Sequence, residues 1–509
     1  MPSRVGLLLA AVLLLGAGLF QLMQQRPFPA GSDDEPAAAG GLTLTLEDAS
    51  EGAAPPDDEL PPPAPPADEA PPTTSNAPLA ERLAALVADP SLQGRTVGVA
   101  VLSADGTAVF SHRAEEQLLP ASLQKLVVAA GAIATVGTDF RYETPLLATA
   151  APGADGVLEG DLVLVGSGDP ALGTPRYGEL RFDRPRTPME ALADGVVAAG
   201  VTRITGSVYG DPRLFPHEPE APGWLPRYFE KGDTSRSSGL TADGGRVLFY
   251  EGGRLRSEPA PDPAATAVAS LHGLLLERGV VVDGSAGSTQ APPAAPVLIA
   301  RVGSPPMTDL LRYMVQRSDN HLADAIFRTV GAAAGDASWA GSAAATQRAL
   351  SVLDLDLAGT VLADGSGLSR GDRLSPAFLA ALDRAMTSSN YGGHWQGLMA
   401  VAGESGTLQR RLVGTVADRR LRGKTGSLVD VNALSGVVAG PGSARYHFAV
   451  LGNDLDRAGQ EALRRLQDHV VLALAEDLHD CHWLPVHPPP EDPAQPPAQP
   501  EERHLVCAA

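Results

Sequence analysis

Lysine is almost missing from this chain. Of 39 Lys+Arg in 509 residues, only Lys125, Lys231 and Lys424 are lysine, so arginine has taken nearly every surface cation position. Arginine stays protonated in proteins, whereas lysine is a compact point charge that can lose its proton when buried. A lysine that survives here is a candidate for a place where arginine does not serve, although Lys231 has no motif around it and reads as a surface residue. Cysteine is scarcer still: Cys481 and Cys507 stand alone near the tail, where they could pair in an exported chain. No basic patch offsets the formal net charge of −21, which speaks against a nucleic-acid surface. The eleven histidines show no metal-like clustering outside His479, His482 and His487, which read as exposed residues near a polar tail. Neither a metal nor an organic cofactor is expected.

The negative charge is unevenly placed. Residues 27–78 hold eleven Asp+Glu, no Lys or Arg, and proline and alanine in excess. Such a span cannot bury enough apolar surface to order itself and reads as a disordered tether. It carries eleven of the 21 net negative charges, so the acidic balance says little about a substrate. Before it, residues 5–20 are entirely apolar or glycine, with Arg4 ahead and Arg26 behind. Residues 1–26 are therefore a signal peptide or a membrane anchor. Extended through Met23 the run has 19 residues, just enough to cross roughly 30 Å of hydrocarbon at about 1.5 Å per residue. The small-residue site Gly16-Ala17-Gly18 lies inside the run, which favours an uncleaved anchor, and no cysteine follows closely enough for a lipid-modified terminus. Residues 488–509, rich in Pro, Glu and Gln, read as a second polar tail.

Two of the three lysines sit in short strings. Ser122-Leu123-Gln124-Lys125 comes first, Ser318-Asp319-Asn320 second and Lys424-Thr425-Gly426 third. Residues 126–133 are apolar on all sides and follow Pro120-Ala121, which predicts a buried helix beginning near Ser122. Residues i and i+3 share a helical face, so the Lys125 amine reaches the Ser122 hydroxyl. The helix N-terminus also offers a free N–H and a positive dipole end to a developing oxyanion. A lysine at its free pKa of about 10.4 is neutral only about once in 2500 molecules at pH 7, so burial must depress that value before Lys125 can act as a base. Lys424 lies instead in a strand-like segment, residues 421–428, and suits a fixed positive charge against a substrate carboxylate and the Ser318 hydroxyl. Singly, each string has a bland explanation: a chance Ser-x-x-Lys, a cap on the helical stretch 321–330, a strand ending in a turn glycine. In this order, they are the signature set of the penicillin-recognising serine enzymes.

Beyond the three motifs the chain resembles the class C low-molecular-mass penicillin-binding proteins, the serine D-alanyl-D-alanine carboxypeptidase/endopeptidase family. Pro120-Ala121-Ser122, Gly168-Asp169-Pro170, Pro222-Gly223-Trp224, Asp364-Gly365-Ser366-Gly367-Leu368-Ser369-Arg370 and Ala402-Gly403 carry the likeness over about residues 80–480. Two departures stand out. The family's Asp-Gly after Ala-Gly is loosened to Glu404-Ser405-Gly406, and an asparagine-bearing segment expected after Trp224 is replaced by Ala242-Asp243-Gly244.

The resemblance implies an α+β fold of the penicillin-binding-protein/β-lactamase-like transpeptidase kind, with an antiparallel sheet flanked by helices, an all-helical part and a β-rich insert domain. Strand signals at 96–102, 108–111, 421–428, 432–438 and 446–451, with helix signals at 79–88 and 460–478, place both ends of the region in one sheet. Ser122 and Ser318 are 196 residues apart, far more than one helix pair needs. The expected catalytic domain is therefore 79–140 plus 293–487, and the insert 141–292.

For the chemistry, the resemblance implies that Ser122 attacks the penultimate peptide bond of a peptidoglycan stem peptide ending in D-alanyl-D-alanine, with Lys125 accepting its proton. Ser318 and Lys424 relay a proton to the departing amine, and Asn320 holds the acyl-side amide. The Thr425 and Ser427 hydroxyls, with Gly426 between them, receive the terminal carboxylate. The oxyanion lies between the N–H groups of Ser122 and Ser427, each donor worth about 10² to 10³ in rate. Asp169 meets the free ammonium of a diaminopimelate-type side chain and Arg370 its carboxylate; the less favoured alternative is that Asp169 only stabilises its own turn before Pro170. Expected partners are stem peptides, β-lactam antibiotics as covalent inhibitors, and a membrane through the N-terminal segment, in an exocytoplasmic bacterial envelope.

Alternatives differ in chemistry. A β-lactamase of the same class needs a glutamate to activate the deacylating water, yet none occurs between Ser318 and Gly403. An esterase or peptidase acting off the wall would keep the same Ser/Lys pair, and a non-catalytic wall-binding module would not need it. Gly367-Leu368-Ser369-Arg370-Gly371 imitates a hydrolase elbow but lacks a helix starting at its serine. Gly166-Ser167-Gly168-Asp169-Pro170-Ala171 imitates a dinucleotide loop but reads as a turn.

Overall fold

The computed structural model describes residues 77–288, 295–485 and 503–507. The expected anchor and tether, residues 1–76, lie outside the described residues, and so does His487. Among the described residues no helix is long and apolar enough to cross a membrane.

Strands from residues 96–112 and 400–453 form one six-stranded antiparallel sheet. Its order is Ala400–Val401, Leu421–Leu428, Val431–Ala439, Arg445–Asn453, Thr96–Ser103, Ala108–His112. Thr96–Ser103 is a β-branched run buried through its middle, as suits a strand covered on both faces. One face is covered by Leu79–Val87 and Arg457–Leu478, whose apolar stripes (Leu79, Leu83, Leu86; Leu463, Leu466, Val470, Leu474) share a core with the sheet. A buried ion pair between Arg82 and Glu476 joins the two helices.

On the other side lies the helical part. Gln124–Thr135 is buried from Gln124 to Ile133, so it has no solvent face. It shares its core with Met307–Arg317, Asn320–Ala333, Trp339–Leu350 and Pro376–Ser388.

The intervening stretch has a core of its own. Its five-stranded sheet runs Ala286–Ser288, Val208–Asp211, Leu162–Val165, Glu143–Ala148, Val297–Gly303, backed by Glu190–Ala198 and Pro263–Glu277. Two expected boundaries move. Val297–Gly303 pairs antiparallel with Glu143–Ala148, so the sheet closes beyond residue 292: the strands entering and leaving the insert satisfy each other's backbone groups. Conversely, Ala221, Trp224 and Tyr228 leave the insert's core and pack among the helices of the catalytic part. The polar tail is also not all tail, because Arg503–Val506 pairs with His482–Pro485 and Cys481 is bonded to Cys507. Such a bridge suits an oxidising compartment.

Candidate active site

Ser122 lies on a 3₁₀ turn, Ala121–Leu123, that leads into the helix Gln124–Thr135. A 3₁₀ turn has about three residues, so positions i and i+3 eclipse. Lys125 is thereby set over Ser122, with Nζ 2.9 Å from Oγ. The residue before the nucleophile is strained: Ala121 has φ 47°, a left-handed conformation that costs a side-chain-bearing residue of order 1–3 kcal/mol. Gly367 packs over it so closely that a Cβ there would come within 1.9 Å of the Ala121 carbonyl oxygen.

Lys125 is completely buried. Besides Ser122, its Nζ donates to Asn320 Oδ1 at 2.7 Å and to the Ser366 carbonyl at 2.6 Å. A neutral amine has two hydrogens and one lone pair. With both hydrogens taken by Asn320 and Ser366, the lone pair faces the Ser122 hydroxyl; as an ammonium, the same nitrogen donates to all three oxygens. A proton can thus pass between Oγ and Nζ without the lysine moving. The Asn320 amide is held at its other end too, because Nδ2 donates to the Asp233 carbonyl at 2.7 Å.

Ser318 ends the helix Met307–Arg317 in left-handed geometry, φ 60° and ψ 34°. Asp319 then caps the helix Asn320–Ala333, accepting from Leu322 N at 2.8 Å. The capping explanation of this string is fulfilled. Arg184, from the insert, pairs with Asp319 at 3.2 Å. Burial pushes the Asp319 carboxyl up, but Arg184 and the cap N–H outweigh it and hold the group below the ordinary carboxylate range.

The third segment is the strand Leu421–Leu428. Lys424 Nζ donates to Ser318 Oγ at 2.9 Å and to the Thr425 carbonyl at 2.7 Å. Thr425 Oγ1 donates to Thr407 Oγ1 at 2.9 Å. A Cβ on Gly426 would lie 2.8 Å from the Pro120 carbonyl oxygen and 3.2 Å from Ser122 N, so only glycine lets this strand lie against the nucleophile turn. Ser427 follows, exposed. The structure therefore gathers Ser122, Lys125, Ser318, Asn320, Lys424, Thr425, Gly426 and Ser427 from three distant segments.

Two expected residues are not free for a ligand. Asp169 is 4% exposed and accepts from Ala171 N at 2.8 Å, two residues on. Burial pushes its carboxyl up to about 6. Its Oδ1 serves its own turn. Arg370 forks onto Asp430, with both Nη–Oδ distances 2.7 Å, so its carboxylate slot is filled from within the chain. Asp243, which marked a departure from the family pattern, is buried and accepts from Thr174 N at 2.7 Å. Ser369, the elbow decoy, is fully buried and donates to the Pro222 carbonyl. Sequence reasoning missed Ser366, Asp233, Arg184 and Thr407. Two of these act through backbone carbonyls, which carry no side-chain signature.

The sequence profile of the D-Ala-D-Ala carboxypeptidase 3 (S13) family matches residues 79–250 and 256–476. This chain belongs to that family. Carboxypeptidase DacB of Mycolicibacterium smegmatis is 33% identical over 451 residues, covering 84% of this chain and 92% of that protein. The D-alanyl-D-alanine carboxypeptidase of Actinomadura sp. (strain R39) is 30% identical over 471 residues, covering 78% and 84%. Among solved structures, penicillin binding protein 4 from Haemophilus influenzae has the same fold, with TM-score 0.66 at 22% identity over 75% of this chain and 97% of that one. As an S13 family member the chain is a serine-type peptidase of the class C low-molecular-mass penicillin-binding group. The family match breaks at the tip of the hairpin Arg246–Glu251 and Arg254–Pro259, where Gly252-Gly253 makes the turn.

Proposed function

We propose that this S13 enzyme removes or cuts beside the terminal D-alanine of peptidoglycan stem peptides through a Ser122 acyl-enzyme, as carboxypeptidase, endopeptidase or both. The observation that carries this reading is the Lys125 amine, buried and within 2.9 Å of Ser122 Oγ, with two fixed acceptors for its own hydrogens. Ser122 Oγ bonds to the carbonyl carbon of the penultimate D-alanine, in the last peptide bond, while its proton moves to Lys125. The tetrahedral oxyanion is received by backbone N–H groups of Ser122 and Ser427. As the C–N bond breaks, the departing amine takes a proton relayed through Ser318 and Lys424. Water then cleaves the ester and restores Ser122. Lys424, Thr425 and Ser427 receive the terminal carboxylate, and the second Nδ2 hydrogen of Asn320 serves the acyl-side amide.

Against β-lactam turnover stands the set of acids near the site. No glutamate lies between Ser318 and Gly403, Asp319 is committed to Arg184, and Asp324 to backbone amides. The penicillin adduct should persist. Incubation with a fluorescent penicillin tests this: a stable adduct lost in Ser122→Ala supports the reading, turnover makes the enzyme a β-lactamase, and no reaction removes the catalytic reading altogether. Digestion of cross-linked muropeptides then separates carboxypeptidase from endopeptidase action. The exocytoplasmic envelope fits the family and the Cys481–Cys507 bridge, and residues 1–26 would hold the enzyme to the membrane across the tether 27–78. Full-length protein found in the soluble fraction at undiminished size would overturn the anchor.

A further inference from the structure

Behind Lys125 lies a layer of buried carboxyls that acyl transfer does not touch. Asp364 accepts from Gly367 N at 2.6 Å, Ser369 N at 2.8 Å, Ser366 Oγ at 3.0 Å and Trp224 Nε1 at 2.7 Å. Asp372 accepts from Ala363 N at 2.7 Å. Asp324, on the facing helix and 3% exposed, accepts from Gly365 N at 3.0 Å and Ser366 N at 2.9 Å through a single oxygen, Oδ1. Asp364 and Asp324 thus bracket Ser366, one on the peptide after it and one on the peptide before it.

Asp324 stands four residues after Asn320 on the helix Asn320–Ala333, so both side chains share a face. Asn320 accepts directly from Lys125, and the other acceptor is the carbonyl of Ser366. One helix therefore reaches the lysine twice. We infer that Asp324 is a positioning residue for Lys125: it grips the amides leading into Ser366 so that the Ser366 carbonyl takes one Nζ hydrogen while Asn320 takes the other, leaving the lone pair aimed at Ser122. The inference rests on the reading of Ser122 and Lys125 as nucleophile and base.

Burial, then the neighbouring Asp364 charge, push the Asp324 carboxyl well above the ordinary range against the pull of Lys125. Arg328 is near enough to feel the Asp324 carboxyl. Its second oxygen has no protein partner among the described residues. Asp324 borders a cavity of about 10 Å³, sized for roughly one water, lined also by Ser235, Ser237, Ser238, Ala325 and His321. Burial pushes the His321 imidazole down to about 4, so it is uncharged at neutral pH. The upward push weakens the negative charge that Asp324 would otherwise set beside the lysine proton.

Asparagine keeps the gripping oxygen, whereas alanine removes the grip. Asp324→Ala should lower the penicillin acylation rate and peptide kcat by about 10- to 100-fold, the cost of a misplaced catalytic group, with little change in KM. Asp324→Asn should restore most of that loss, with the acid limb of its pH–rate profile superposed on wild type. Should Asp324→Ala not fold, Asp324→Ser, which fills more of the space but cannot span both amides, carries the same test. Asp324→Asn as damaged as Asp324→Ala, or an Asp324→Ala enzyme that acylates at the wild-type rate, overturns the role of Asp324 alone. A wild-type enzyme that forms no Ser122 adduct overturns the underlying reading and this inference with it.

Discussion

Lys125 and Lys424 are both completely buried, yet the walls they stand on are held in different ways. Lys424 rides a strand fixed by eight consecutive pairings to Val431–Ala439, so sheet register alone sets where it points. Lys125 borrows its acceptors from segments remote in sequence, Asn320 and the Ser366 carbonyl. Those segments are themselves gripped from the stretch between the strands Glu143–Ala148 and Val297–Gly303: Asp233 turns the Asn320 amide and Arg184 pairs with Asp319. The strand wall supports itself, whereas the helix wall is completed by the insert. An insert with its own core is thus also a structural part of the catalytic cleft.

The sharpest test of that contrast exchanges each lysine for arginine. Lys125→Arg should cut penicillin acylation by about 10² to 10⁴, the usual worth of a general base, while Lys424→Arg, which keeps its charge, should lose less. Each overpacks a buried site by about 1–3 kcal/mol, so comparable losses of Tm are expected. Labelling rates that rank the other way would remove Lys125 from the base role.

Next comes the insert's grip. Arg184→Met leaves Asp319 without its partner, and breaking a buried pair in this way costs about 3–5 kcal/mol. Thermal melting should drop and peptide kcat should fall with it. The matching change beside the strand wall, Arg370→Met, breaks a pair about one-third exposed on each side and should cost only about 0–1 kcal/mol. Equal losses for the two would erase the difference between the walls.

A smaller effect is expected at Asp169. Its folded value of about 6 lies above the ordinary 3.8, so the native state favours the protonated acid. The stability that this proton lends is fully present below about pH 3.8 and is lost as pH rises through about 6. Asp169→Asn should therefore raise Tm relative to wild type near pH 7 and change little near pH 4, while leaving peptide selection alone. His321 acts in the opposite sense: its depressed value leaves stability intact above about 6.5 and loses it as pH falls through about 4. Wild-type and Asp169→Asn melting curves that stay parallel across that range would show that Asp169 is not held as a buried acid. Lys231 is exposed, and Lys231→Arg should be silent in both labelling and melting.

Much of the architecture was legible because it is written in local periodicity. The strand Leu421–Leu428 coincides with the expected segment, and the helix Arg457–Leu478 begins three residues before its expected start. Ser122, Lys125, Ser318, Asn320 and Lys424 were legible for another reason: they are the groups proposed to react, and they stand in short strings at fixed spacing. Arg370 was read as waiting for a substrate carboxylate because the sequence shows a fork but not what fills it. Asp430 lies 60 residues away and meets it only once the strand Leu421–Leu428 has paired.

By itself, then, the sequence determined which groups can react, on which kind of element each stands, and that both ends of the region share one sheet. Side-chain chemistry, the 3.6-residue and two-residue periods, and a shortage of lysine are all properties of neighbouring residues. Tertiary structure decided which carbonyls hold Lys125 and Asn320, that Arg370 is already paired, that Asp169 is buried in its turn, and where the insert ends. Each of these depends on atoms brought together across long loops, and a backbone carbonyl looks the same in every residue of the chain. Only the packed fold selects Ser366 and Asp233 from among them.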